Sequence, residues 1–192
     1  MIKHVPNILT IIRIILVPVF VYFTFFSELN NNILLALIIF IIASLSDLFD
    51  GLIARKYKVI SDFGKIMDPL ADKLLVISAL FALLLKFKDI TYVIFAIIVL
   101  REVAVTLLRK YYTKRNIVIA ANWWGKVKTV LQMTGIIISL TYYSFYNYSD
   151  FLKESETWYR GFIRIFFWVT AIVTVFSGIN YLFVKKAVRG KK

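Results

Sequence analysis

The chain has 192 residues, 60% hydrophobic, 17% aromatic and only 18% charged, with a mean hydropathy of +0.79. Soluble domains run nearer 45–50% apolar, and one of this size has too little interior to hide the surplus, so a water-soluble globule is excluded and a single membrane domain over residues 1–192 is expected. Twenty-four Lys and Arg against eleven Asp and Glu give +13, and the absence of cysteine excludes disulfides, thiolate zinc sites and thiol nucleophiles.

Six segments are long enough to cross about 30 Å of hydrocarbon, which takes about 20 residues. In chain order they are Ile8 to Phe26, Ile33 to Leu52, Pro69 to Phe87, Ile90 to Leu108, Val130 to Tyr146 and Phe162 to Val184. The first lacks a small-residue cleavage site and is followed at once by the second, so it reads as a retained span. The longest connections are Lys56 to Asp68, Arg109 to Lys128 and Ser149 to Gly161. No internal repeat is visible, which argues against an inverted-repeat transporter.

The basic residues concentrate on one side: Lys3, Arg55 to Lys65, Arg109 to Lys128 and Lys185 to Lys192. The opposite ends hold fewer cations, namely Lys86, Lys88, Lys153, Arg160 and Arg164, mixed with Glu28, Asp89, Asp150, Glu154 and Glu156. The positive-inside rule then places both termini in the cytoplasm, and six spans close that topology. The expected fold is an all-α integral membrane protein of six transmembrane helices, with a polar active site near the cytoplasmic side.

The acids mark that site. Asp47, Asp50, Asp62, Asp68 and Asp72 fall within 26 positions. Asp47 and Asp50 are three apart near the cytoplasmic end of the second span, and Asp68 and Asp72 four apart at the start of the third, so each pair shares a helix face. Antiparallel packing of the two spans brings the pairs to similar depth. Asp68 before Pro69 also reads as a helix N-cap, and Asp50-Gly51 as a local helix break. Neither reading accounts for Asp47 or Asp72. Several carboxylates buried together repel unless cations join them. An all-oxygen donor set suits Mg²⁺, then Mn²⁺, with Ca²⁺ a further option, and four carboxylates suffice for two ions.

In full the segment reads Asp-x-x-Asp-Gly-x-x-Ala-Arg, eight residues, then Gly-x-x-x-Asp-x-x-x-Asp, filled by Asp47, Asp50, Gly51, Ala54, Arg55, Gly64, Asp68 and Asp72. This resembles the signature of the CDP-alcohol phosphotransferase family, whose six spanning helices cover essentially the whole chain. The resemblance implies transfer of a phosphate-linked group from a CDP-activated donor to an alcohol, with release of CMP. It implies Asp47, Asp50 and Asp68 as metal ligands, Asp72 as a further ligand and general base, and Gly51, Ala54, Arg55 and Gly64 along the CDP donor. A homodimer in the bacterial cytoplasmic membrane, its active site facing the cytosol, is implied as well.

The residue types suit those roles. Gly51 and Ala54 let a nucleotide, or equally a neighbouring helix, come close. Arg55 can fork onto phosphate oxygens or anchor the interface, and Gly64 suits a cytoplasmic loop. On the fourth span, Arg101 and Arg109 are eight residues apart, about 12 Å, and Lys126 and Lys128 stand at the entrance to the fifth. Snorkelling is the competing reading for Arg109, Lys126 and Lys128, but Arg101 is too deep for it to be comfortable. An acceptor carrying its own phosphate explains these cations.

The opening Pro6-Asn7-Ile8-Leu9-Thr10-Ile11-Ile12-Arg13, the Arg101-Glu102 pair with Arg109, and Gly125-Lys126-Val127-Lys128-Thr129 resemble the glycerol-phosphate-using bacterial branch of that family. They imply CDP-diacylglycerol and glycerol 3-phosphate as substrates, with Asn7 and Thr10 as additional site residues. Inositol phosphate, serine or phosphatidylglycerol as acceptor, a cation-coupled transporter and a non-catalytic scaffold are the competing readings. His4 reads as an interfacial residue. The basic tail lacks a base-reading motif, so it is expected to meet anionic lipid and not nucleic acid.

Overall fold

The computed structural model describes residues 5–57, 62–113 and 123–189, with side chains described for 10–46, 67, 70–113 and 123–179. Within them the protein is entirely helical: α1 (Val5–Val21), α2 (Asn32–Tyr57), α3 (Asp62–Leu85), α4 (Tyr92–Thr113), α5 (Trp123–Phe145), the short α6 (Asp150–Glu154) and α7 (Glu156–Arg189). A wider π-helical turn, Tyr22–Phe26, extends α1, and there the Ser27 amide donates to the Tyr22 carbonyl at 3.0 Å.

The helices follow the six apolar segments with shifted ends, α3 stopping at Leu85 before Phe87 and α4 starting at Tyr92 after Ile90, and three local expectations change. Pro69 lies inside α3, so Asp68 is not an N-cap. A proline costs the helix one amide donor but fixes a compatible φ, and α3 runs from Asp62, seven residues ahead of it. Gly64 therefore belongs to the first turn of α3 and not to a loop. Gly51 does not break α2, which continues through it to Tyr57.

Contacts divide the chain into two compact units, Met1–Phe87 with Ile137–Ser155, and Lys88–Ile136 with Glu156–Lys192. In the first, α1 packs on both α2 and α3. Small and large side chains alternate at the seam: Ala36, Phe40 and Ala43 of α2, and Ala71, Leu75 and Ala79 of α3, are buried with Phe20 of α1. The Phe20 and Phe40 rings lie 6.0 Å apart, and Phe25 meets Phe81 at 6.1 Å. Lys86 donates to the Thr24 carbonyl. Phe87 stacks on Tyr143 at 4.2 Å, and on α6 Lys153, 2.8 Å from Asp150, holds that carboxyl below the ordinary carboxylate range, chiefly by hydrogen bonding.

In the second unit α4 packs on α7. Asp89 is buried and accepts from the Tyr159 hydroxyl at 2.8 Å. The outward face of α7 is apolar and its buried face mixed, with Ile163, Phe167 and Ala171 buried beside small polar residues. Its buried positions include Thr170, Thr174 and Ser177, whereas Ile165, Val169, Ile172, Val175, Phe176 and Ile179 are exposed. Outward apolar and inward small polar residues are what a lipid solvent selects. Glu156–Ile179 is long and apolar enough by itself to cross a membrane. The apolar stretches Thr10–Phe26 and Asn32–Ser46 are shorter, the second being followed directly by Asp47.

Candidate active site

The aspartates belong to the first unit. Asp47 and Asp50 lie on unbroken helix α2, Asp68 and Asp72 on unbroken helix α3, and the two helices pack together. The three- and four-residue spacings therefore keep each pair on one helix face. Asp72 is half-buried. The side chains of Asn7, Asp47, Asp50, Gly51, Ala54, Arg55, Gly64 and Asp68 lie outside the described residues, as does His4. The donor set, four carboxylates on two packed helices, fits one or two hard divalent cations.

Two polar residues of α1 lie in the same unit. Thr10 and Arg13 are three apart, hence on one side of the helix, and both are fully buried. Thr10 was among the residues the sequence suggested; Arg13 was only part of a motif.

The basic candidates lie in the second unit, and the structure sorts them. Arg101 donates through Nη2 to the Ser177 hydroxyl of α7 at 2.6 Å and through Nη1 to Glu102 at 3.3 Å. Lys128 of α5, 5% exposed, forms an ion pair with the same Glu102 oxygen. Glu102 thus joins Arg101 and Lys128 across two helices. A Cβ on Gly178 would meet Arg101 Cγ at 3.3 Å, so a glycine at that point leaves the guanidinium room to reach Ser177. Gln132, one turn beyond Lys128, is buried, and its amide nitrogen has no hydrogen-bond partner among the described residues.

Arg109 and Lys126 are exposed instead. Lys126 sits over the Trp123 ring at 6.0 Å, an arrangement typical of an interfacial cation–π contact. Sequence reasoning therefore had Glu102, the organising acid, only as part of a motif, and missed the more distant Ser177. The visible signal for the first was its adjacency to Arg101 in an apolar helix; for Ser177, 76 residues away, there was none.

Known proteins place the chain consistently. Residues 3–177 match the family model described as CDP-alcohol phosphatidyltransferase. Three relatives carry the name CDP-diacylglycerol–glycerol-3-phosphate 3-phosphatidyltransferase. The Rickettsia bellii protein is 34% identical over 180 residues, 93% of each chain. The Haemophilus influenzae protein is 33% identical over 186 residues, 95% of this chain and 94% of its own. That of Mycoplasma pneumoniae is 34% identical over 201 aligned positions, 93% and 85% respectively. The motif from Asp47 to Asp72 falls inside the matched region, and with agreement over nearly the full length of both chains, this protein belongs to the CDP-alcohol phosphatidyltransferase family.

Proposed function

We propose that the protein transfers the phosphatidyl group of CDP-diacylglycerol to glycerol 3-phosphate, giving phosphatidylglycerophosphate and CMP. The observation that carries this reading is the near full-length similarity to relatives named for that reaction, with the eight-position aspartate motif inside it.

Asp47, Asp50, Asp68 and Asp72 would hold Mg²⁺ or Mn²⁺, two ions by donor count. A bound cation neutralises charge on the donor diphosphate. Asp72 takes the proton from the 1-hydroxyl of glycerol 3-phosphate while that oxygen attacks the phosphorus bearing diacylglycerol; the bond to the CMP oxygen breaks, and CMP leaves. Gly51, Ala54, Arg55 and Gly64 would lie along the CDP moiety. Arg101 and Lys128 would take the acceptor's phosphate, with Arg109 and Lys126 drawing it in from the surface. The buried Gln132 amide is a donor suited to an acceptor hydroxyl.

The same reading puts one family domain in the bacterial cytoplasmic membrane as a homodimer. It has six crossings, both termini and the site on the cytosolic side, and the basic tail against anionic lipid. The apolar outward face of α7 and the one-sided distribution of Lys and Arg support the membrane placement.

The test is CMP release from CDP-diacylglycerol by purified protein in detergent, offered glycerol 3-phosphate, glycerol, serine, inositol phosphate or phosphatidylglycerol. Release only with glycerol 3-phosphate is expected. Equal release with plain glycerol overturns the acceptor assignment, and no release with any acceptor overturns the reaction.

A further inference from the structure

Arg13 is the largest charged side chain in the described interior, fully buried in the first unit. Arginine keeps its proton in proteins, so its burial demands a negative partner at the same height.

Helix register gives that height. α1 and α2 are joined by a short connection and pack antiparallel, with Phe20 against Phe40. Arg13 is seven residues before Phe20 and Asp47 seven residues after Phe40. At about 1.5 Å per residue both lie about 10 Å from the aromatic contact, on the same side of it. On α3, which runs parallel to α1, the Phe25–Phe81 contact sets position 69 level with Arg13, and the Thr24–Lys86 contact sets position 75. The two bracket a stretch of α3 that contains Asp72. By the same register Thr10, on the Arg13 face, is level with Asp50. Three helices thus bring one buried cation and the aspartate motif to a common level.

We infer that Arg13 is the internal counter-charge of the aspartate site, a positioning residue that keeps the carboxylates together when no divalent cation holds them and yields charge to the cation when one binds. This rests on the metal-site reading above. It extends that site to a third helix. Arg13 thereby opposes metal binding while stabilising the metal-free fold. A residue that merely fills space does the second without the first.

The two effects separate in thermal unfolding of the purified full-length protein in detergent, with chelator or with titrated Mg²⁺. Arg13→Gln is expected to melt about 10 °C below the unaltered protein in chelator. Its Mg²⁺ half-saturation should be about tenfold lower, so that added Mg²⁺ recovers part of the loss. Arg13→Lys should keep most of the chelator stability, and the double change Arg13→Gln with Asp47→Asn should recover most of what Arg13→Gln loses. If the Mg²⁺-induced shift of Arg13→Gln equals that of the unaltered protein, or the double variant melts at the sum of the two losses, Arg13 is only a packing residue and the inference fails. An unaltered protein that does not respond to Mg²⁺ or Mn²⁺ overturns the metal site itself, a distinct result. Should Arg13→Gln not fold, the double variant decides: folding supports the counter-charge, and failure of both it and Arg13→Lys overturns it.

Discussion

Lys128 on α5 and Arg101 on α4 share one carboxylate, that of Glu102. Two closely spaced cations repel, and the acid between them holds both in place. Glu102→Gln should therefore destabilise the protein by about 3 kcal/mol, seen as a lower melting temperature. It should also raise the half-saturation for glycerol 3-phosphate, because the cations then move apart. Unchanged stability and unchanged acceptor affinity together would remove Glu102 from this role.

The sorting of the basic residues predicts a graded acceptor response. Arg101→Ala and Lys128→Ala should each raise the glycerol 3-phosphate half-saturation at least tenfold, about the worth of a charge-assisted hydrogen bond. CDP-diacylglycerol half-saturation should hardly move. Arg109→Ala and Lys126→Ala, at exposed positions, should cost less and lose their effect in high salt. A loss confined to the donor substrate would refute the phosphate-pocket assignment.

Asp72 is set apart from the other three acids by its proposed proton transfer. Asp72→Asn should reduce turnover about 10²–10⁴-fold with donor half-saturation little changed, since the amide keeps an oxygen. Asp47→Asn, Asp50→Asn and Asp68→Asn should weaken Mg²⁺ or Mn²⁺ binding along with turnover. Chelation should abolish CMP release until either metal is restored. Full activity in any of the three ligand variants, or in chelator, contradicts the metal cluster.

The close approach of α5 and α7 rests on Gly135, where a Cβ would stand 2.8 Å from the Phe167 ring. Gly135→Ala should cost about 1–3 kcal/mol by overpacking. Gly161 on α7 has nothing within 4 Å of such a Cβ, so Gly161→Ala should be neutral or stabilising by up to about 1 kcal/mol. Melting temperatures of the two variants provide the comparison, and equal shifts would contradict the packing.

Much of the site was legible along the chain because its signals are local. Acids three and four apart in apolar helix share a face wherever that helix goes, and the cost of burying them together already calls for a cation. The misread points were local too. Asp68-Pro69 has the chemistry of a helix start and Asp50-Gly51 that of a break, yet both lie within continuous helices. Propensity at a proline or glycine is worth at most about 3 kcal/mol, and packing of a whole helix outweighs it.

The sequence by itself carried the apolar character, the reaction class and the helical spacing of the acidic residues, because hydropathy and the spacing of side chains on one helix need no knowledge of its neighbours. Only the tertiary structure decided that Arg13 is fully buried, that Glu102 joins Arg101 to Lys128 while Arg109 and Lys126 face outward, and that Ser177 receives the Arg101 guanidinium. Those relations depend on how helices distant in sequence slide and turn against one another, and that register is set by the shapes packed between them, such as Phe20 on Phe40 and Gly178 beneath Arg101.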